Sequence, residues 1–224
     1  MCGRYSLIAD LGDLAQRFEF DGDWLSLEAA YNIAPTQQAL TVRANREGRE
    51  AAFMRWGLIP SWAKDPSIGN RMINARAETV AEKPAFRSAV RRRRCLVLAD
   101  GFYEWQRVPG NRAKRPMRIV LKTGEPFAFA GLWETWRDPT GERIESCAII
   151  TTTANELLSP IHNRMPAILP RESESFWLDA SIDDPGLLTH VLRPYDSNGM
   201  NAYEVSTLVN SVANNCPEVI ARIA

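Results

Sequence analysis

Apolar positions along the chain fall into short blocks with two distinct periods. After Asp10, Leu11, Leu14 and Phe18 recur at helical spacing, which predicts a helix with Asp10 as its N-cap. Residues 40–44 and 50–56 read as strands flanking a turn at Gly48. Pro84 to Arg92 reads as a short helix whose apolar residues Phe86 and Val90 lie four apart. Cys95-Leu96-Val97-Leu98-Ala99 is continuously apolar, as a buried strand would be. Gly101 to Gln106, Met117 to Leu121, Phe127 to Trp133 and Ser146 to Thr152 follow as strands at sheet-like intervals. Thr153-Ala154-Asn155-Glu156 is a capping-box pattern that predicts a helix through Leu158. Glu172 to Leu178 and Pro185 to Leu192 are further helices, and Ala202 to Ser206 is a late strand. Short strands, tight connections and interspersed helices predict an α+β fold around an antiparallel or mixed sheet curled toward a barrel. With no repeat, low-complexity tract or linker, residues 1–224 read as a single domain.

Composition narrows the class. The 224 residues are 45% apolar and 24% charged, an ordinary globular balance in a chain long enough to need no disulfide or metal staple. No apolar run reaches a membrane span of roughly 18 residues, and the start lacks the apolar core of a signal peptide. A soluble cytoplasmic protein, by default a monomer, is expected. Cys2, Cys95, Cys147 and Cys216 are widely spaced, and His162 and His190 stand far from a second ligand, so no metal site is expected. The net charge is zero, yet Arg71 to Lys122 holds 14 Lys/Arg against 4 Asp/Glu. Such segregation suits a face that meets a polyanion; it is equally what a solvated arginine surface or a helix end at Arg91 to Arg94 would give.

The sequence lacks the dinucleotide, P-loop, zincin and hydrolase-elbow motifs. Removal of Met1 would leave Cys2 with an amine and a thiol on adjacent carbons. The amine of such a residue condenses with an aldehyde, and its thiol then closes a five-membered thiazolidine ring; the same thiol could attack an amide. A small buried cysteine is the plainer alternative. Glu104, hemmed by Phe102, Tyr103 and Trp105, should lose hydration and titrate high, or else pair with a nearby arginine. His162 stands in a polar turn bracketed by Pro160 and Pro166, whereas His190 reads as a helix-packing residue. Asn74 could orient a substrate, Arg76 could hold a phosphate, and Trp62, in a Pro-containing loop, could stack on an unpaired base.

Six segments together resemble the SRAP family, the SOS response-associated peptidases described as abasic-site processing proteins. They are Met1-Cys2-Gly3-Arg4-Tyr5, Tyr31-Asn32-Ile33-Ala34-Pro35, Arg55-Trp56-Gly57-Leu58-Ile59-Pro60, Ile73 to Thr79, Ala99 to Trp105 and the His162 loop. The resemblance implies covalent capture of abasic sites in single-stranded DNA by Cys2, with self-processing at Met1. It implies that Asn74 positions the sugar and amine, Glu104 moves protons and assists adduct reversal, and His162 assists sugar opening. Arg4 and Arg76 would hold phosphates, with Trp62 and Trp105 as stacking partners. No cofactor is implied. A thiol peptidase acting on other proteins and a plain single-strand binder are the rival readings.

Overall fold

The structure, a computed structural model, describes residues 2–110 and 112–223. In chain order the elements are β1 (Tyr5–Leu7), α1 (Leu11–Phe18), β2 (Ala30–Ile33), β3 (Gln38–Ala44), β4 (Arg49–Trp56), β5 (Asn74–Arg76) and α2 (Ala89–Arg92). There follow β6 (Arg94–Ala99), β7 (Gly101–Gln106), β8 (Arg115–Leu121), β9 (Phe127–Arg137), β10 (Arg143–Thr153), β11 (Arg164–Pro166) and β12 (Ile168–Leu169). The chain continues through α3 (Arg171–Leu178), α4 (Pro185–His190) and β13 (Met200–Glu204).

Five strands form a closed barrel in the order β10-β4-β3-β6-β9, because β9 pairs back onto β10. Only β4 and β10 run parallel in that ring. A second sheet, β13-β8-β7-β1-β2, lies against it. Aromatic side chains join the two: Tyr5 of β1 meets Trp56 of β4 at 5.2 Å and Phe129 of β9 at 5.9 Å, both edge-on. Phe102 of β7 reaches the same Phe129. The apolar run at β6 is buried along its whole length because the barrel interior takes one face and α3 covers the other. Trp177 of α3 seals that contact by donating its indole N–H to the Cys95 carbonyl.

Local chemistry explains the helices. Asp10 caps α1 through the Gly12 N–H, as its position before the apolar stripe predicts. Two predicted helices contract. Lys83 to Ser88 runs as turns, and α2 spans only Ala89–Arg92; Ser88 provides no side-chain cap, and so short a helix depends on packing. Residues 154–161 form turns rather than a helix. Asn155, not Thr153, accepts the Leu158 N–H, and Pro160 withholds the donor that a continuing helix needs.

The basic segment does not present one face. Arg94 donates to the carbonyls of Val90 and Arg91 at the end of α2 and to those of Trp177 and Asp179 at the end of α3. It therefore closes two helix C-termini, each rich in unsatisfied carbonyls. Arg93 pairs with Glu134, Arg115 with Glu204 and Arg118 with Asp100. Three of the 14 basic residues are thus neutralised within the chain, while most of the others are exposed. No described helix is long and apolar enough to cross a membrane.

Candidate active site

The start of the chain runs into the core instead of hanging free. β1 lies between β2 and β7, with Tyr5 opposite Phe102 and Ser6 opposite Gly101. One step further toward the amino terminus, the Tyr103 N–H donates to the Arg4 carbonyl. That antiparallel course carries Cys2 along β7 toward Glu104. In the chain that retains Met1, Cys2 is 0% exposed and Glu104 3%. Burial pushes the Cys2 thiol up, and the Glu104 carboxylate adds to the rise. Burial likewise raises the Glu104 carboxyl, while His162 pulls it the other way. Glu104 is thus close enough to exchange charge effects with both Cys2 and His162.

The expected hemming of Glu104 by three aromatic rings is only partly realised. Side chains alternate along a strand, so Phe102 and Glu104 share the face toward the barrel. Tyr103 and Trp105 point the opposite way, into a separate cluster with Val205, Val209 and Val219. The desolvation of Glu104 comes from the barrel side.

Asn74 arrives from a different direction. The chain leaves β4 at Gly57, makes an excursion and returns, with the Leu58 N–H bonded to the Met72 carbonyl and the Trp56 indole bonded to that of Ile73. Gly57 has φ +127° and Gly69 crosses it so closely that a Cβ on either would lie 2.5–2.6 Å from the other's carbonyl oxygen. This crossing delivers β5 beside β10, where Asn74 donates its Nδ2 to the Cys2 carbonyl at 2.8 Å. Its Oδ1 is buried and unpartnered, an unsatisfied acceptor beside the first peptide of the described chain. On the other side of β10, β11 starts two residues after His162. His162 Nδ1 lies 3.0 Å from the Arg164 N–H and 3.2 Å from the Arg164 carbonyl, so the Arg164 backbone holds the ring in place.

The proposed nucleic-acid residues are placed less uniformly. Arg76 shares the face of β5 with Asn74 and is exposed. Trp62 is 60% exposed on the excursion that delivers Asn74. Arg4 is half-buried, and its Nη1 is already engaged by Asn32 and the Val209 carbonyl. Its guanidinium lies 5.9 Å from the ring of Trp105, whose indole donates to Asn210. Sequence reasoning passed over two organising residues. Arg164 clasps Glu78 with both terminal nitrogens and also reaches the Thr151 carbonyl. Buried Asn32 donates to the Val209, Ser211 and Asn214 carbonyls, tying the late loop to the site. An asparagine within a segment shared with a family was the available signal for the second; nothing local marked the first. A cavity of about 740 Å³ between β3, β4 and β10, lined by Arg43, Phe53 and Arg55 among others, holds none of these residues.

This cluster matches a known group of proteins over most of the chain. The family model described as SOS response associated peptidase (SRAP) matches residues 1–212. The chain belongs to the SRAP family. It is 48% identical to the abasic site processing protein YoqW of Bacillus subtilis (strain 168), covering 98% of this chain and 99% of that one. It is 38% identical to the abasic site processing protein HMCES of Rattus norvegicus, covering 75% of this chain and 55% of that longer one. A crystal structure of a Bacteroides thetaiotaomicron protein superposes on the whole chain with a TM-score of 0.91 at 31% identity. The α+β reading with a barrel-like sheet agrees with this SRAP architecture.

Proposed function

We propose that this SRAP protein processes abasic sites by capturing them covalently on Cys2 after Met1 is removed. The observation that carries the reading is that Asn74 is bonded to the Cys2 carbonyl and Glu104 lies close enough to act on the Cys2 thiol, with His162 acting on Glu104 in turn. While Met1 is present, the Cys2 nitrogen is an amide and its thiol is out of water, so neither group reacts. Hydrolysis of the Met1–Cys2 bond frees the amine and opens the start of the chain.

The ring-opened abasic sugar presents an aldehyde on a polyanion. The Cys2 amine attacks that carbon, and the resulting carbinolamine loses water to give an imine. The thiol then adds across C=N, its proton passing to nitrogen, and the thiazolidine closes with water as the sole by-product. Glu104, held in a desolvated site that favours its protonated form, supplies a proton to the departing water and takes the thiol proton in turn. Reversal retraces these steps through the same carboxyl. His162 assists opening of the sugar. Asn74 orients the amine and sugar, its free Oδ1 accepting a hydrogen bond from either. Arg76 holds a flanking phosphate and Trp62 stacks on a base. Trp105, on the opposite face of β7 from Glu104 and beside Arg4, stacks on a flanking base, and Arg4 contributes through whichever guanidinium edge Asn32 and Val209 leave open. The protein acts as a single-domain monomer on single-stranded DNA, without a cofactor, in the cytoplasm. A peptidase acting on other proteins is the rival reading for the same Cys2 thiol.

The decisive experiment incubates the protein with an abasic single-stranded oligonucleotide and reads heat-stable adduct by gel and intact mass. The parent should lack Met1 and gain the oligonucleotide mass minus one water. Cys2→Ala should give no stable adduct, and Cys2→Ser only an imine trapped by borohydride. Retention of Met1 in active protein, or undiminished adduct with Cys2→Ala, overturns the mechanism. Release of peptides from other proteins would favour the peptidase instead.

A further inference from the structure

We propose that Asp100, together with Ser6 and Arg118, is a positioning clamp that sets the register of the amino-terminal strand and so delivers Cys2 to Glu104. The inference deepens the capture reading and rests on it for the kinetic consequence alone.

β1 is only three residues long, and residues 2–4 lie outside any strand. The place of Cys2 is therefore inherited from how β1 sits on β7. Two β1 residues pair with β7, too few for main-chain ladder bonds alone to exclude a shifted register. Asp100 precedes β7 and grips the far end of β1. Its Oδ1 accepts from the Ser6 hydroxyl at 2.7 Å, and its Oδ2 accepts the N–H groups of Ile8 and Ala9. Arg118 of β8 backs the carboxylate at 3.2 Å, donates to Ser6 as well, and donates through Nη1 to the Tyr203 hydroxyl of β13. The pair is buried at both ends. Gly101 is what admits it: a Cβ there would lie 2.8 Å from Arg118 Nε and Nη2.

A buried ion pair is a poor source of stability, since desolvation offsets much of its attraction; fixing a unique arrangement is the better-attested use. Strand alternation puts Ser6, Gly101 and Arg118 on the face away from the barrel, whereas Glu104 faces it. The clamp thus touches no reacting atom. Asp100 immediately precedes β7, which carries Glu104 four residues further on, so holding β1 to Asp100 fixes Cys2 relative to Glu104. A slip of one residue would turn the β1 side chains to the opposite face.

The test compares the parent with Asp100→Asn and with Ser6→Ala, the second leaving every charge in place. Two quantities are read per folded molecule: the first-order rate of adduct formation at saturating oligonucleotide, and the Glu104 titration followed by carboxyl ¹³C NMR, which needs no DNA. Asn at 100 cannot accept two main-chain N–H groups through its amide nitrogen. The adduct rate should fall about tenfold or more, with oligonucleotide affinity, measured in a Cys2→Ala background, unchanged. The Glu104 midpoint should move back toward its ordinary range in both variants as β1 loosens and water enters. Should thermal stability drop while the titration of both variants matches the parent, the clamp is merely structural and the proposal fails. If Asp100→Asn does not fold, Ser6→Ala decides alone. A parent that forms no adduct defeats the capture reading, and the titration still decides the clamp.

Discussion

Glu104 has the simplest physical signature in the molecule: a carboxyl on a central strand of its sheet, turned into the core and raised by its own desolvation. A raised folded value means that the native state holds its proton to higher pH than the unfolded chain does. The native state binds more protons between the unfolded value and the folded one, so this residue's contribution to stability falls as pH rises through that window. Glu104→Gln removes the penalty. Urea midpoints should show the variant level with the parent near pH 4 and above it at pH 8; a gap that stays constant with pH would refute the burial argument. Adduct formation should nevertheless drop, since the amide cannot relay protons. Cys2, Glu104 and His162 were legible from the sequence as chemical types. Their mutual placement was not, because the charge effects that tie them together cross between β7, the chain start and the turn before β11. The orphaned Oδ1 of Asn74 and the hold of the Arg164 backbone on the His162 ring are likewise facts of contact.

At the scale of elements, the excursion from Gly57 to Met72 shows how backbone geometry places a side chain. Two glycines cross at a distance that excludes any Cβ, and Gly57 sits at a positive φ that other residues avoid. Gly57→Ala should cost about 1–3 kcal/mol from the backbone strain alone. It should also move β5, and with it Asn74. A lowered urea midpoint together with slower adduct formation is the expected result; a variant as stable as the parent would show that the crossing relaxes easily. The apolar periods identified α1, β3, β4, β6 and β7 closely, since each has a core-facing pattern several residues long. They missed β1, β2, β5, β11 and β12. Strands of two to four residues carry too few alternations to register, and these five exist because longer neighbours offer them an edge. The contracted helices have the same origin in reverse: a local pattern was present, but Pro160 and an uncapped Ser88 left only isolated turns in place of a continuous helical ladder.

Across the whole molecule, the charge asymmetry separates into two populations. Arg93, Arg94, Arg115 and Arg118 are engaged within the chain, while Arg76 stands exposed beside Asn74. If Arg76 holds a backbone phosphate, Arg76→Ala should weaken single-strand binding and flatten the dependence of log affinity on log salt by roughly 0.7–1. An unchanged slope would reduce it to a surface arginine. From the sequence alone came the chemistry on offer: an aminothiol in waiting, a carboxyl among aromatics, a lone imidazole between prolines, and a barrel-prone alternation of strands. These are encoded by residue type and short-range spacing, which a linear chain displays directly. Only the tertiary structure decided which groups meet, that Cys2 lies buried in the core, and that Arg93, Arg94, Arg115 and Arg118 of the basic run are engaged within the chain. Those outcomes depend on interactions between residues 72 and 102 positions apart in the chain, Cys2 with Asn74 and Cys2 with Glu104, and these arise only when the barrel closes.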